Sequence, residues 1–188
     1  MGKKLSEMTL EELWALFPII LTEHRPEWKA WYLEQEARLR TLLPADALAG
    51  VHHIGSTAVP SICAKPIVDI LIEVCAGTDF DAISQRLTAD GWILMSRAPG
   101  RYSFNQGYTE NGFAEKVFHL HLRTQGDCDE ILFRDYLLSH PDEAAEYERL
   151  KLRLWKQFEH DRDGYTQAKG GFIRRCTGAA RALQCQNE

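Results

Sequence analysis

The sequence predicts an α/β (α+β) fold: a mixed central sheet, flanking helices and a helical C-terminal third. Three patterns carry this reading. Segments 51–54, 67–74 and 117–123 are rich in branched apolar residues, and the last two alternate with period two, as strands do. Segments 26–42 and 141–159 repeat apolar residues every three or four positions, as amphipathic helices do. After Cys128 the patterning is helical throughout.

Taken in order, Thr9 is a helix N-cap with Glu12 three residues on, a capping box, and this short helix stops before Pro18. Residues 18–23 are expected to be extended. Pro26 suits the first turn of a second helix, whose stripe is Trp28, Trp31, Tyr32, Gln35, Leu39 and Leu42, ending near Pro44. A strand over 51–54 runs into Gly55-Ser56-Thr57, and a second strand over 67–74 lies between Pro66 and Gly77. A helix over 79–89, strands over 92–96 and 102–106 around Ala98-Pro99-Gly100, and a strand over 117–123 follow. Helices are then expected over 128–139, 141–159 and 163 to about 182.

The chain has 188 residues, 45% apolar and 26% charged, with net charge −5. That composition is globular, and the acidic balance argues against general nucleic-acid binding and against an anionic membrane surface. No apolar stretch is long enough to span a bilayer. Five scattered cysteines without a CxxC predict reduced thiols in a cytoplasmic setting.

Alternation places Val68, Ile70, Ile72 and Val74 on one face of their strand, with Asp69, Leu71 and Glu73 on the other. In the later strand Phe118, Leu120 and Leu122 oppose His119, His121 and Arg123. Were these strands neighbours, Asp69, His119 and His121 would share a face and suit a divalent cation. A solvated sheet face gives the same alternation. Gly55, Ser56 and Thr57 form a turn whose N–H groups suit a phosphate, and Lys65 is either a phosphate partner or a solvated cation.

The stretches His53-Ile54-Gly55-Ser56-Thr57-Ala58-Val59-Pro60 and Ala64-Lys65-Pro66-Ile67-Val68-Asp69-Ile70-Leu71 closely resemble the signature of the GrpB family. The likeness continues in Phe118-His119-Leu120-His121-Leu122, Leu132-Phe133-Arg134-Asp135-Tyr136-Leu137, Leu150-Lys151, Tyr165-Thr166 and Ala168-Lys169. It spans roughly residues 25–176, so residues 1–24 read as an N-terminal extension on a single domain, 25–188. The resemblance implies a nucleotidyltransferase-like fold of the DNA polymerase β superfamily. There a Gly-Ser turn holds nucleotide phosphates, and three carboxylates on neighbouring strands hold two magnesium ions. Gly55, Ser56 and Asp69 match that arrangement. The second carboxylate position is Leu71, and the third falls on the strand of His119 and His121.

The resemblance implies binding of a nucleotide or phosphorylated metabolite, with transfer of a nucleoside monophosphate to a small acceptor as one activity. Asp69 and Lys65 are the candidate catalytic residues. Gly55, Ser56, Thr57, Lys65, Arg134, Tyr165 and Lys169 are candidate phosphate or nucleotide contacts. Asp69, His119 and His121 are candidate ligands of Mg²⁺, Mn²⁺ or Zn²⁺, with histidine favouring the softer ions. A non-catalytic nucleotide binder and a metal-dependent hydrolase using Asp69, His119 and His121 are the alternatives. Arg134 is either an anion contact or the partner of Asp135, and Tyr165 either stacks on a ligand or packs.

Overall fold

The computed structural model describes residues 3–187. Its centre is a five-stranded sheet built from β1 (Leu48–Ile54), β2 (Val68–Val74), β3 (Ile93–Ala98), β4 (Arg101–Thr109) and β5 (Gly112–Thr124), in the order β1-β2-β5-β4-β3. β2 and β5 run parallel, and the other neighbours are antiparallel. The chain between β2 and β5 contains α3 (Phe80–Ala89) and the β3–β4 pair.

The apolar alternation sorts the faces as expected. Val68, Ile70, Ile72 and Val74, with Phe118, Leu120 and Leu122, form a dry core with Trp28, Tyr32 and Leu39 of α2 (Glu27–Leu42) and Ile83 and Leu87 of α3. The opposite face is covered too. α4 (Asp129–Ser139), α5 (Pro141–Gln157) and α7 (Gly170–Asn187) contribute Phe133, Leu137, Ala144, Tyr147 and Cys176 to a second cluster with Val59 and Ile62. Leu71, which alternation places beside Asp69 and Glu73, is therefore fully buried.

Two elements differ from expectation. The closing helix is broken into α6 (Arg162–Ala168) and α7, with Lys169 at the joint. Gly170-Gly171 follows at once, and glycine is a poor helix former that permits the break. The β4–β5 hairpin is longer than the apolar runs, because Asn111-Gly112, a strong hairpin turn signal, carries pairing out to Thr109 and Gly112. A register shift between Gln106 and Tyr108 is made by Gly107 at φ +90°.

The N-terminal segment packs on this frame. α1 (Leu10–Leu16) has Thr9 as N-cap with both halves of the capping box formed. Phe17, Ile19 and Leu21 are buried, and Thr22 pairs with Ala64. Among the described residues, no helix is long and apolar enough to cross a membrane.

Leu71→Ala is expected to cost about 2–5 kcal/mol, the range for emptying a fully packed aliphatic site. Urea unfolding checks it, with a lower midpoint at unchanged slope.

Candidate functional site: a lysine-ringed cleft around Asp69

The site begins where β1 ends. Gly55 sits at φ +71°, ψ −173°, a region open essentially to glycine alone, and a side chain there would run into the Asp69 carboxylate. A single 3₁₀ turn, Ser56–Ala58, follows. Beneath it, His53 Nε2 and Thr57 Oγ1 are 3.0 Å apart, and the His53 ring stacks on Tyr32 at 4.8 Å. Burial, helped by nearby cations, lowers the His53 pKa to about 4, so this ring is neutral.

Parallel pairing sets Asp69 opposite His119 and Leu71 opposite His121. His119 Nδ1 lies 3.2 Å from Asp69 Oδ1, and His121 Nε2 lies 3.9 Å from the same oxygen. The direction of each hydrogen bond follows from arginine, which can only donate, and from ionised Asp69, which can only accept. Arg162 Nη2 donates to Tyr108 Oη at 3.0 Å, and because ionised Asp69 can only accept from His119 Nδ1, the unprotonated Nε2 of the neutral ring accepts from the Tyr108 hydroxyl at 2.8 Å. The neutral His119 ring therefore carries its proton on Nδ1 and donates it to Asp69. On the other side Arg123 Nη2 is 3.3 Å from His121 Nδ1, which must accept, leaving the Nε2 proton directed at Asp69. Burial alone would raise the Asp69 pKa. The hydrogen bond from His119 Nδ1, and then the nearby His121 ring, instead hold it well below the usual carboxylate range. Burial also lowers the His119 pKa, keeping the ring neutral.

Cations gather on the same cavity, about 1330 Å³, which Gly55, Ser56, Asp69, Lys65, Lys151 and Lys169 help to line. Lys151, a fully buried side chain, donates to Ser56 Oγ at 3.1 Å and to the Cys63 carbonyl. Because lysine only donates, Ser56 Oγ accepts there, and its own proton is free for Tyr147 or a ligand. Lys65 and Lys169 are half-buried, with Nζ 5.7 and 4.3 Å from the Tyr165 ring centre. Burial, then the charge of Arg162, lowers Lys65 to about 8. Burial lowers Lys151 to about 8, and burial, then the charge of Lys65, lowers Lys169 to about 7. Glu110, Asp129, Glu130 and Asp163 also line the cavity, but Asp69 is the carboxylate acting on Lys65 and Lys169.

The structure thus brings Gly55, Ser56, Thr57, Lys65, Asp69, His119, His121, Tyr165 and Lys169 onto one cavity. Tyr165 is buried and packs with Ile19 and Leu154, as a pedestal for the two lysines. Arg134 is placed elsewhere, as the partner of Asp135. Its guanidinium donates to the His53 carbonyl and to Asp135, both at 2.7 Å, and it is not among the cavity-lining residues. It braces β1 because α4 packs directly beside that strand.

The expected metal centre is also not what these side chains build. Among the described residues, no group of three or more His, Cys, Asp or Glu is arranged to hold a metal ion. The hydrogen bonds show why: both nitrogens of His119 are engaged by protein, His121 presents an N–H, and Leu71 lies in the core. The superfamily's pair of magnesium ions does not fit this donor set.

Tyr108, Lys151 and Arg162 were not expected in the site. A lysine inside the buried stripe Ala144, Tyr147, Lys151, Leu154 was a readable signal, as was Asn111-Gly112 for the hairpin that carries Tyr108. Arg162 had none.

A mixed sheet with this Gly-Ser turn and Asp69 on the next strand defines a protein of nucleotidyltransferase-like fold. The poly(U) polymerase Cid1 with bound MgGTP superposes on 79% of this chain and 47% of its own at TM-score 0.50 and 13% identity, a likeness of fold alone. The chain belongs to the GrpB protein family, whose match covers residues 18–178. The Enterococcus faecalis GrpB crystal structure covers 90% of this chain and 100% of its own, at TM-score 0.75 and 27% identity. Glutamate-rich protein GrpB of Alkalihalophilus pseudofirmus is 33% identical over 160-odd residues, 82% of this chain and 91% of that protein. A UPF0157 protein of Pseudomonas aeruginosa is 34% identical over 160 residues, and the chain spans 65% of its length. The chain spans 44% of YqkA of Bacillus subtilis and 44% of a dephospho-CoA kinase of Mycolicibacterium paratuberculosis, at 32% and 28% identity.

Gly55→Ala is expected to cost about 1–3 kcal/mol of stability from its backbone region alone, read by chemical denaturation. Tyr108→Phe is expected to lower stability by about 1 kcal/mol, because His119 Nε2 loses its donor. It should also change the imidazole nitrogen shifts of His119 in NMR spectra while leaving those of His53 in place.

Proposed function

We propose that the cleft binds a nucleotide or another small phosphorylated molecule, with lysines doing the charge neutralisation that metal ions do elsewhere in this fold. The observation that carries the reading is the convergence of Lys65, Lys151 and Lys169 on one cavity, each held below the ordinary lysine range by burial and by cationic neighbours. Amines crowded in this way are poorly stabilised until an anion arrives, and then they recover their charge. The Ser56 hydroxyl and the backbone of the 55–58 turn supply donors for phosphate oxygens, and Lys151 fixes the Ser56 rotamer.

Asp69, kept ionised by the His119 N–H and the nearby His121 ring, is suited to orient a ligand hydroxyl near the phosphate. Transfer of a nucleoside monophosphate to such a hydroxyl is the second reading, and the likeness of fold to nucleotide polymerases favours it. In that case Lys65 and Lys169 offset the charge developing on the leaving phosphate oxygens. The relative named dephospho-CoA kinase is in keeping with a phosphate-bearing ligand.

Calorimetry and thermal shift with AMP, ATP and ribose 5-phosphate in a chelating buffer test the proposal. At least one should bind, and Lys65→Ala and Lys169→Met should each weaken it tenfold or more. Wild-type affinity should fall as pH rises through 7 to 8, by up to about tenfold per pH unit for each lysine that must be recharged. No phosphate-bearing ligand raising the melting temperature would remove the reading.

The same lysines set a stability signature. A lowered amine pKa means the unfolded chain binds more protons between pH 7 and about 10.4, so wild-type stability should rise across that window. Lys169→Met is expected to melt higher than wild type near pH 6.5 without ligand, with the gap closing as pH rises.

A further inference from the structure

The three lysines of the cleft are not alike. Lys151 donates to Ser56 Oγ and to the Cys63 carbonyl. Among the described residues, Lys65 and Lys169 have neither a hydrogen-bond acceptor nor an ion-pair partner at Nζ. Both line the cavity, and neither Nζ is sealed in the core. What holds them is an aromatic face. Lys169 closes the C-terminus of α6, one helical turn after Tyr165, and its Nζ lies over that ring at 4.3 Å. Lys65, just before β2, brings a second Nζ to 5.7 Å from the same ring centre. Tyr165 is buried against Ile19 and Leu154, so this platform is fixed. Burial, then the charges of Lys65 and Lys151, opposes protonation of Lys169, and Asp69 favours it. The balance leaves Lys169 at about 7, so about half of it is a free amine at neutral pH, where an ordinary lysine is almost wholly charged.

We propose that Lys169 is a nucleophile that captures the carbonyl carbon of a small phosphorylated aldehyde or ketone as a protonated imine. This rests on the phosphate reading above and names a class of ligand within it. Burial beside a second cation is what frees a lysine amine for attack on a carbonyl. The step needs no oxidant or reductant. The Nζ lone pair forms the C–N bond, the carbonyl π pair moves to oxygen, and that oxygen leaves as water when the C=N bond forms. Amine, carbonyl and one proton from solvent thus give one iminium and one water. The iminium restores the positive charge that the crowded amine had given up, over a ring face that attracts cations. A phosphate held on Ser56 and Lys65 stabilises that charge further. Lys151 cannot take this part, because its N–H groups are engaged by Ser56 and Cys63 within the core. Lys65 keeps its proton more tightly, at about 8, and lies farther from the ring.

The experiment treats the full chain near neutral pH with glyceraldehyde 3-phosphate and sodium cyanoborohydride, which reduces an iminium to a stable secondary amine. Peptide mass mapping then locates the adduct. Lys169 should be marked about tenfold faster, or more, than the exposed Lys29 and Lys156, which serve as internal references. Glycerol 3-phosphate, with the same phosphate but no carbonyl, should bind and protect Lys169, and unphosphorylated glyceraldehyde should mark it far more slowly. Lys169→Arg keeps a cation without a nucleophile. It should lose the cavity adduct, with Lys29 and Lys156 still marked at the wild-type rate, and should weaken glycerol 3-phosphate less than Lys169→Met does. Binding of glycerol 3-phosphate with Lys169 marked no faster than the two reference lysines would overturn the inference and leave the phosphate reading standing. So would preferential marking of Lys65, or equal rates with glyceraldehyde and its phosphate. If neither glycerol 3-phosphate nor any other phosphate-bearing ligand binds, the phosphate reading itself fails, and this one with it.

Discussion

The carboxylate of Asp69 accepts a hydrogen bond from His119, has the His121 ring beside it and packs on Gly55, and most of the site follows from keeping it ionised there. A buried carboxylate would ordinarily take up a proton or be paired with a cation. Here an N–H of His119 is donated to it with the His121 ring 3.9 Å away, and the orientation of each ring is set by an arginine, which can only donate. Arg162 acts through Tyr108 on His119, and Arg123 acts directly on His121. The glycine at position 55 is then a steric consequence, because any side chain would occupy the space of the carboxylate.

That arrangement goes with an unusual set of charges around the cleft. Position 71, next but one to Asp69 on β2, is a fully buried leucine, and the facing positions of β5 are His119 and His121. Removing carboxylates lowers the local demand for cations, yet three lysines remain in the cleft. At short range, like charges in a partly buried site cost several kcal/mol at the dielectric typical of such sites. Burial and the neighbouring cations accordingly hold these amines below the ordinary lysine range.

Much of this was visible in the residues and some was not. Strand alternation assigned the faces of β2 and β5, because period-two patterning is a property of each strand alone. Their adjacency and parallel register could not be read that way, since the partners lie fifty positions apart. The capping box at Thr9 and the helix behind Pro26 are local signals and formed as such. Arg134 was ambiguous because its neighbour Asp135 satisfies only part of the guanidinium, and the His53 carbonyl that takes the rest is distant in sequence. Lys151 sits in an apolar stripe, where its charge was the unread clue. The break at Lys169 needed the glycine pair to be weighed against an otherwise continuous helical pattern.

The parallel pairing of β2 with β5 has a kinetic side. Antiparallel neighbours can zip up through a short turn, but parallel strands meet only after the intervening chain has closed into a long loop, here one containing α3, β3 and β4. Asp69 and its imidazole donors are divided by that closure, so they come together in a late, non-local event while the β4–β5 hairpin and the helices form on local contacts. A folding chain can therefore form its local turns and helices before it has an oriented carboxylate. The geometry around Asp69 is thus a property of the completed topology, set by the pairing of β2 with β5 rather than by either strand alone.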